Sequence, residues 1–397
     1  MRTIRGILGS ESPVVTKMAQ AVARTENGVW AAAKQIYRLL GNKRLEQHDF
    51  AVGLYDISRA NVDHEQPAYT VVALDPVNFE KPYTRQLEGV STVYKSTPPD
   101  RNGRDRLTSG YPAITTSVVN TKIPAVTYTN WFSYTLDFVS ENREIMTAIE
   151  QSRTVLAGYR RRFVADAGLD DRKLFAALAQ DEFVIRASHP ERLVEVYNDR
   201  LDRWEPEVPG DMVDVVLFSH TFRVTFTHAR QTRRATLEVG WFPIRLPLTG
   251  QQLWVLVAYE AALNRTLVLL TNVPLTSADV ARSVYDDWRL RARIEHGYRF
   301  DQEQGPDVED MRLQTLERMK RLFFLVLTAA QFVFYLIDTW PPSAVDWTRE
   351  LDGKLGLAND LDGPYLVLRG LRAVFLTITT LSLLLISPFP HQDFTCG

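Results

Sequence analysis

Two apolar patterns alternate along this chain, and they predict two kinds of strand. Tyr69–Leu74 and Arg162–Ala165 are almost continuously apolar and β-favouring, and Glu182–Arg186 and Arg265–Asn272 follow the same pattern. Such runs predict strands buried on both faces, as in a sheet covered by helices. Thr221–Thr227 and Thr236–Phe242 instead alternate apolar with polar residues. Together with Leu253–Tyr259 they predict an antiparallel unit with one dry face and one wet face. Tyr111–Val119 adds another strand. Helical periodicity links Val14, Met18 and Val22, and then Trp30, Ala33, Ile36, Leu39 and Leu40, before Gly41 and Asn42 stop it. Glu141–Gly158 and Arg172–Ala179 predict helices, and Ser277 opens a long one running through Glu295. Asp307–Leu336 is helical up to the break at Trp340 and Pro341, and the tail is helical again after Pro364.

Strands interleaved with helices indicate an α/β layer structure. The 397 residues are too many for one ordinary core. The expected organisation is a helical region at 1–64, an α/β core at 65–186, a β-rich insertion at 187–262, the rest of the core at 263–340 and a helical region at 341–397. Ser96 to Asp105 is a polar loop between strands. Leu322–Ile337 and Ala373–Ile386 are both shorter than the ~20 apolar residues that span a bilayer. They predict buried core helices, and no membrane partner is expected.

Cys396 is the single cysteine, which excludes intrachain disulfides and cysteine-based zinc sites and favours a reducing cytoplasm. The N-terminus lacks the apolar core of a signal peptide. The histidines show no zinc-ligand spacing. A net charge of −2 disfavours generic nucleic-acid binding. Local basic clusters work against that: Arg160–Arg162, Arg230–Arg234 and Arg289–Arg293. Isolated clusters are usually solvated faces, but two of these flank an acid of interest and so become candidates for phosphate binding.

The acids are Asp75, Asp166 and Glu295. The first two end apolar strands, and the third stands on a basic helical segment. Three converging carboxylates would form a hard-oxygen cage for Mg²⁺ or Mn²⁺, the usual catalyst of phosphodiester chemistry. Each acid also has a plainer reading. Asp75 before Pro76 suits a turn, Asp166 suits a helix cap, and Arg291 with Glu295 suits a surface pair at i,i+4 spacing. Asp170 and Asp171 are the better capping candidates. Trp288, Arg291 and Glu295 share one helix face, which Arg299 and Gln302 continue.

The order of these features, with a β segment between the second and third acids, resembles the IS4-type DDE transposases over roughly residues 65–340. That family's signature, Tyr-x2-Arg-x3-Glu-x6-Lys, keeps Arg291 and Glu295 here, with Trp288 at the Tyr position and Gln302 at the Lys position. The resemblance implies an RNase H-like mixed sheet flanked by helices and interrupted by an antiparallel β insertion. It implies that Asp75, Asp166 and Glu295 hold two Mg²⁺ or Mn²⁺ ions, cut DNA at transposon ends and join the freed 3′-OH to target DNA.

In that reading Arg291 clamps the scissile phosphate, with Arg186 and Arg293 assisting, and Lys81 approaches DNA beside the first Asp. Trp288, Arg299 and Gln302 face the DNA, and Trp241 or Trp254 offers a ring to an unstacked base or packs in the β core. The N-terminal helices would read terminal inverted repeats, and the C-terminal helices would hold a homodimer in a synaptic complex, in a bacterial cytoplasm. A metal-dependent nuclease that does not join ends, and an inactive DNA-binding remnant, are the alternatives.

Overall fold

The computed structural model describes residues 2–23, 27–82, 86–95, 106–188, 192–198, 200–207, 213, 216–228, 231–261, 264–295, 306–354 and 364–386. Four helices open the chain: α1 (Arg2–Ser10), α2 (Val15–Val22), α3 (Gly28–Leu40) and α4 (Gln47–Glu65). Of these, α1 was not foreseen. The start of α4 is closed by Asp49, whose carboxylate accepts from the Glu46 N–H at 2.7 Å. Next come β1 (Thr70–Glu80), β2 (Ser91–Tyr94), β3 (Leu107–Val118), β4 (Ala125–Trp131), α5 (Glu141–Val155), β5 (Arg161–Ala165), α6 (Arg172–Ala177) and β6 (Glu182–Arg186).

Strands β7 (Val194–Asn198), β8 (Arg203–Glu207), β9 (His220–His228), β10 (Gln231–Arg245), β11 (Gln252–Glu260) and β12 (Arg265–Thr271) follow. Among the described residues four longer helices follow: α7 (Ala278–Leu290), α8 (Leu316–Thr339), α9 (Pro342–Lys354) and α10 (Pro364–Ile386).

The described strands form one sheet in the order β2-β3-β1-β5-β6-β12-β11-β10-β7-β8, with β4 beside β3 and β9 beside β10. β1 runs antiparallel to β3 and parallel to β5, and β5 runs parallel to β6. The result is a mixed α/β sheet flanked by helices. The β segment between residues 187 and 262 does not close on itself. β11 pairs with β12, and β12 pairs with β6, so its strands prolong the same sheet.

Alternation explains why the central runs are apolar throughout. Val72, Leu74, Phe163, Ala165, Phe183 and Ile185 face a core shared with α5 and α6. Val71, Ala73, Val164 and Val184 face the opposite core, shared with α7. A third cluster joins α1–α4 to α8 and α10 and includes Phe79, Tyr111 and Trp131 from the sheet. The N-terminal helices thus share a core with C-terminal ones. Arg321 of α8 is buried and donates to the Leu40, Asn42 and Leu45 carbonyls beyond α3. Among the described residues, α8 alone is long and apolar enough to cross a membrane, and most of it is buried inside the protein.

Three element boundaries differ from expectation. β1 does not stop at Asp75 but continues to Glu80, because β3 still pairs with it after β5 has ended at Ala165. Pro76 falls in this one-sided stretch, where a missing N–H is tolerated. The helix expected to run through Glu295 ends at Leu290. Arg291 and Ala292 form a turn whose N–H groups donate three residues back, and Arg293–Glu295 are helical again. Finally, α8 starts at Leu316 rather than Asp307. The preceding turn, Val308–Asp310, is pinned under the end of β1, where Glu309 accepts the Glu80 N–H at 2.9 Å.

Candidate active site

The site lies where β5 parts from β1. Leu74 and Ala165 form the last parallel rung, so Asp75 and Asp166 are the next residues on two adjacent strands. Asp75 stays in β1, opposite Thr115 of β3. Asp166 leaves β5 and caps the turn Ala167–Leu169, accepting from the Ala167 N–H at 2.8 Å. Capping and a role in the site are therefore compatible for Asp166. Asp171 caps α6, whereas Asp170 is buried and paired with Arg192.

The third acid arrives from the other side of the sheet. α7 lies against the face formed by Val71, Ala73 and Val164, and the tight turn after it carries Arg291 and Glu295 to the notch. The Arg291 guanidinium then sits among all three acids, with Nη1 at 3.5 Å from Asp75 and Nη2 at 3.5 Å from Asp166 and 3.7 Å from Glu295. Arg186, on β6, reaches Asp166 at 3.6 Å. The sequence-selected residues Asp75, Asp166, Glu295, Arg291 and Arg186 thus form one cluster. Its acids are accessible to ligand, since the side chains of Asp166 and Glu295 are 40% and 50% exposed.

Other selected residues lie elsewhere or do other work. Trp288 is buried, and its indole Nε1–H donates to the Ala165 carbonyl at 3.1 Å, so it braces the strand end beside Asp166 and does not face outward as expected. Arg293 donates to the Thr121 carbonyl at 2.7 Å and the Lys122 carbonyl at 2.6 Å, tying the Glu295 segment to the turn after β3. Lys81 is buried and donates to the Val308 and Glu309 carbonyls, which leaves it no face for a phosphate. Trp241 and Trp254 are partly buried against the α7-side core, and Trp241 stacks near His220 at 4.5 Å. Arg299 and Gln302 lie outside the described residues, as do the Ser96–Asp105 loop and Arg230.

The basic run Arg160–Arg162 is not a phosphate patch. Arg161 pairs with Asp181 at 2.7 Å, Arg160 pairs with Glu182, and Arg162 pairs with Glu182 at 2.7 Å and Asp287 at 2.5 Å. The Arg162–Asp287 pair was missed from sequence. It is buried, Tyr69 donates to Asp287 at 2.8 Å, and the Arg162 guanidinium stacks on the Tyr69 ring at 4.8 Å. Burial raises the Asp287 pKa from the usual carboxylate value, while Tyr69 and Arg162 oppose that shift. One signal was available. Asp287 falls between the buried positions Val284 and Trp288 of an otherwise amphipathic helix.

The donor chemistry of Asp75, Asp166 and Glu295 suits a hard divalent cation. The Arg291 guanidinium lies between them. Among the described residues, no three His, Cys, Asp or Glu side chains are arranged to hold a metal ion.

No protein-family model matches the sequence, and no curated protein matches it. Among solved structures, the piggyBac transposase synaptic complex with hairpin DNA, determined by cryo-EM, is similar at a TM-score of 0.41 and 10% identity. The likeness covers 81% of this chain and 55% of that chain, so this chain spans just over half of that protein's length.

Proposed function

We propose that this chain is a DNA-cutting and DNA-joining enzyme of the DDE transposase kind, with Asp75, Asp166 and Glu295 as its acids. The observation that carries the reading is their convergence on one notch from β1, β5 and the turn after α7. The mixed sheet supports an RNase H-like core, and the strands β7–β11 that precede α7 in the chain support the IS4-type arrangement.

Asp75, Asp166 and Glu295 would hold Mg²⁺ or Mn²⁺, two ions in the full reading. Bound there, the metal would supply a water of lowered pKa and charge stabilisation for the leaving 3′-oxygen. The protein's own contribution is positional. Asp75 and Asp166 are fixed as neighbours by the β1–β5 rungs, and Trp288 steadies the Ala165 carbonyl next to Asp166. Arg186 and Arg291 supply positive charge for a phosphodiester beside the acids. DNA is the proposed partner, and a homodimer is the proposed assembly.

The test is nicking of a supercoiled plasmid in Mn²⁺, followed by incubation of pre-cleaved ends with a target plasmid. Wild type is expected to nick, and Glu295→Gln to lose at least about a hundredfold in rate, or about 2.7 kcal/mol of barrier. Joined products distinguish a transposase from a nuclease. Equal nicking by the two proteins would overturn the assignment.

A further inference from the structure

We infer that Arg291 is a resident counter-cation that must be exchanged for metal, and that this exchange couples metal loading to phosphate binding. The inference rests on the proposed metal-dependent function of the same acids.

Two arginines near the notch are held tightly. Arg162 meets Glu182 and Asp287 at 2.7 and 2.5 Å, and Arg293 donates to the Val119, Thr121 and Lys122 carbonyls at 2.5, 2.7 and 2.6 Å. Arg291 meets its three acids only at 3.5–3.7 Å, and its buried Nε–H has no hydrogen-bond partner. A guanidinium placed at the edge of contact with three carboxylates is attracted by charge without being locked by geometry.

Its backbone, by contrast, is anchored on both sides. Trp288 is fixed through the Ala165 carbonyl, and Arg293 through the loop carbonyls after β3. The side chain can therefore leave while the acids keep their places.

A divalent cation and this guanidinium compete for the same carboxylate oxygens, and the two cations repel at such separations. Metal entry thus requires Arg291 to withdraw. Once withdrawn, it needs a new anionic partner, and a phosphodiester at the notch is a suitable one. Metal and DNA should then each raise the other's affinity by the same factor, as linkage demands.

The test is calorimetric titration of Mn²⁺ into wild type, Arg291→Gln, Arg291→Lys and Asp166→Asn, each with and without a short DNA duplex. Without DNA, Arg291→Gln is expected to bind Mn²⁺ on the order of tenfold more tightly than wild type, and Arg291→Lys to stay closer to wild type because it keeps the charge. Duplex DNA should tighten Mn²⁺ binding in wild type but not in Arg291→Gln. If Arg291→Gln binds no more tightly than wild type while Asp166→Asn abolishes binding, the metal site stands and the exchange is overturned. If none of the proteins binds Mn²⁺, the exchange and the metal-dependent function both fall.

Discussion

The paired stretch of β1 and β5 has a cluster of arginine and carboxylate at each end, and the two clusters are built to opposite standards. Near their N-terminal ends, the buried Arg162 and Asp287 make short contacts with each other and with the half-buried Glu182 and Tyr69. Just beyond their last shared rung, Asp75, Asp166, Glu295 and Arg291 make long contacts, with two of the acids half in solvent. Only three residues of β5, Phe163, Val164 and Ala165, separate Arg162 from Asp166. The first cluster docks α7 on the sheet. The second is held in register by that docking yet leaves its own charges loosely paired, which is the condition for taking up a ligand.

The comparison breaks most visibly if the first cluster is cut. Removing one partner of a buried ion pair leaves the other charge uncompensated, so Asp287→Ala should cost about 3–5 kcal/mol of folding stability. Urea denaturation with an unchanged m-value checks it. A loss comparable to that of an ordinary surface substitution would mean that α7 is docked by its apolar face alone.

A third cluster, under the far end of β1, sharpens the contrast through pH. Burial pushes the Glu309 carboxyl up to about 7 and pulls the neighbouring Lys81 ammonium down to about 8. Because the folded pKa of Glu309 lies above its ordinary value of 4.5, its stabilising contribution is complete below that value and is lost as pH rises towards about 7. Glu309→Gln should therefore remove this part of the pH dependence. Relative to wild type it should gain on the order of 1 kcal/mol across that window, an amount discounted for partial solvent exposure. Thermal melts of the two proteins at several pH values measure it. Parallel curves would show that Glu309 titrates normally.

Much of this was legible in sequence, for identifiable reasons. Apolar runs at Tyr69–Leu74 and Arg162–Ala165 announce central strands, and the acids following them are at the rim by construction. Helical phase grouped Trp288, Arg291 and Glu295, and the tight turn after α7 still brings Arg291 to Glu295. Phase could not say which way that face points, so Trp288 was assigned to DNA when it packs inward against Ala165.

Arg160–Arg162 looked like a phosphate patch because its partners are remote in sequence: Asp181 and Glu182 on or beside β6, and Asp287 on α7. Lys81 was misplaced for the same reason, since its carbonyl partners at Val308 and Glu309 come more than two hundred residues later. A run of like charge shows its neighbours in the chain, not its neighbours across the sheet.

The most direct test sets the two ends of β5 against each other. Plasmid nicking in Mn²⁺ and urea unfolding are measured on the same preparations of wild type, Asp166→Asn and Asp287→Asn. The predicted result is that Asp166→Asn unfolds within about 0.5 kcal/mol of wild type but nicks at least about a hundredfold more slowly, while Asp287→Asn loses stability. Nicking by a folded Asp166→Asn at the wild-type rate would contradict the claim that the carboxylates gathered beyond the last β1–β5 rung are the catalytic site.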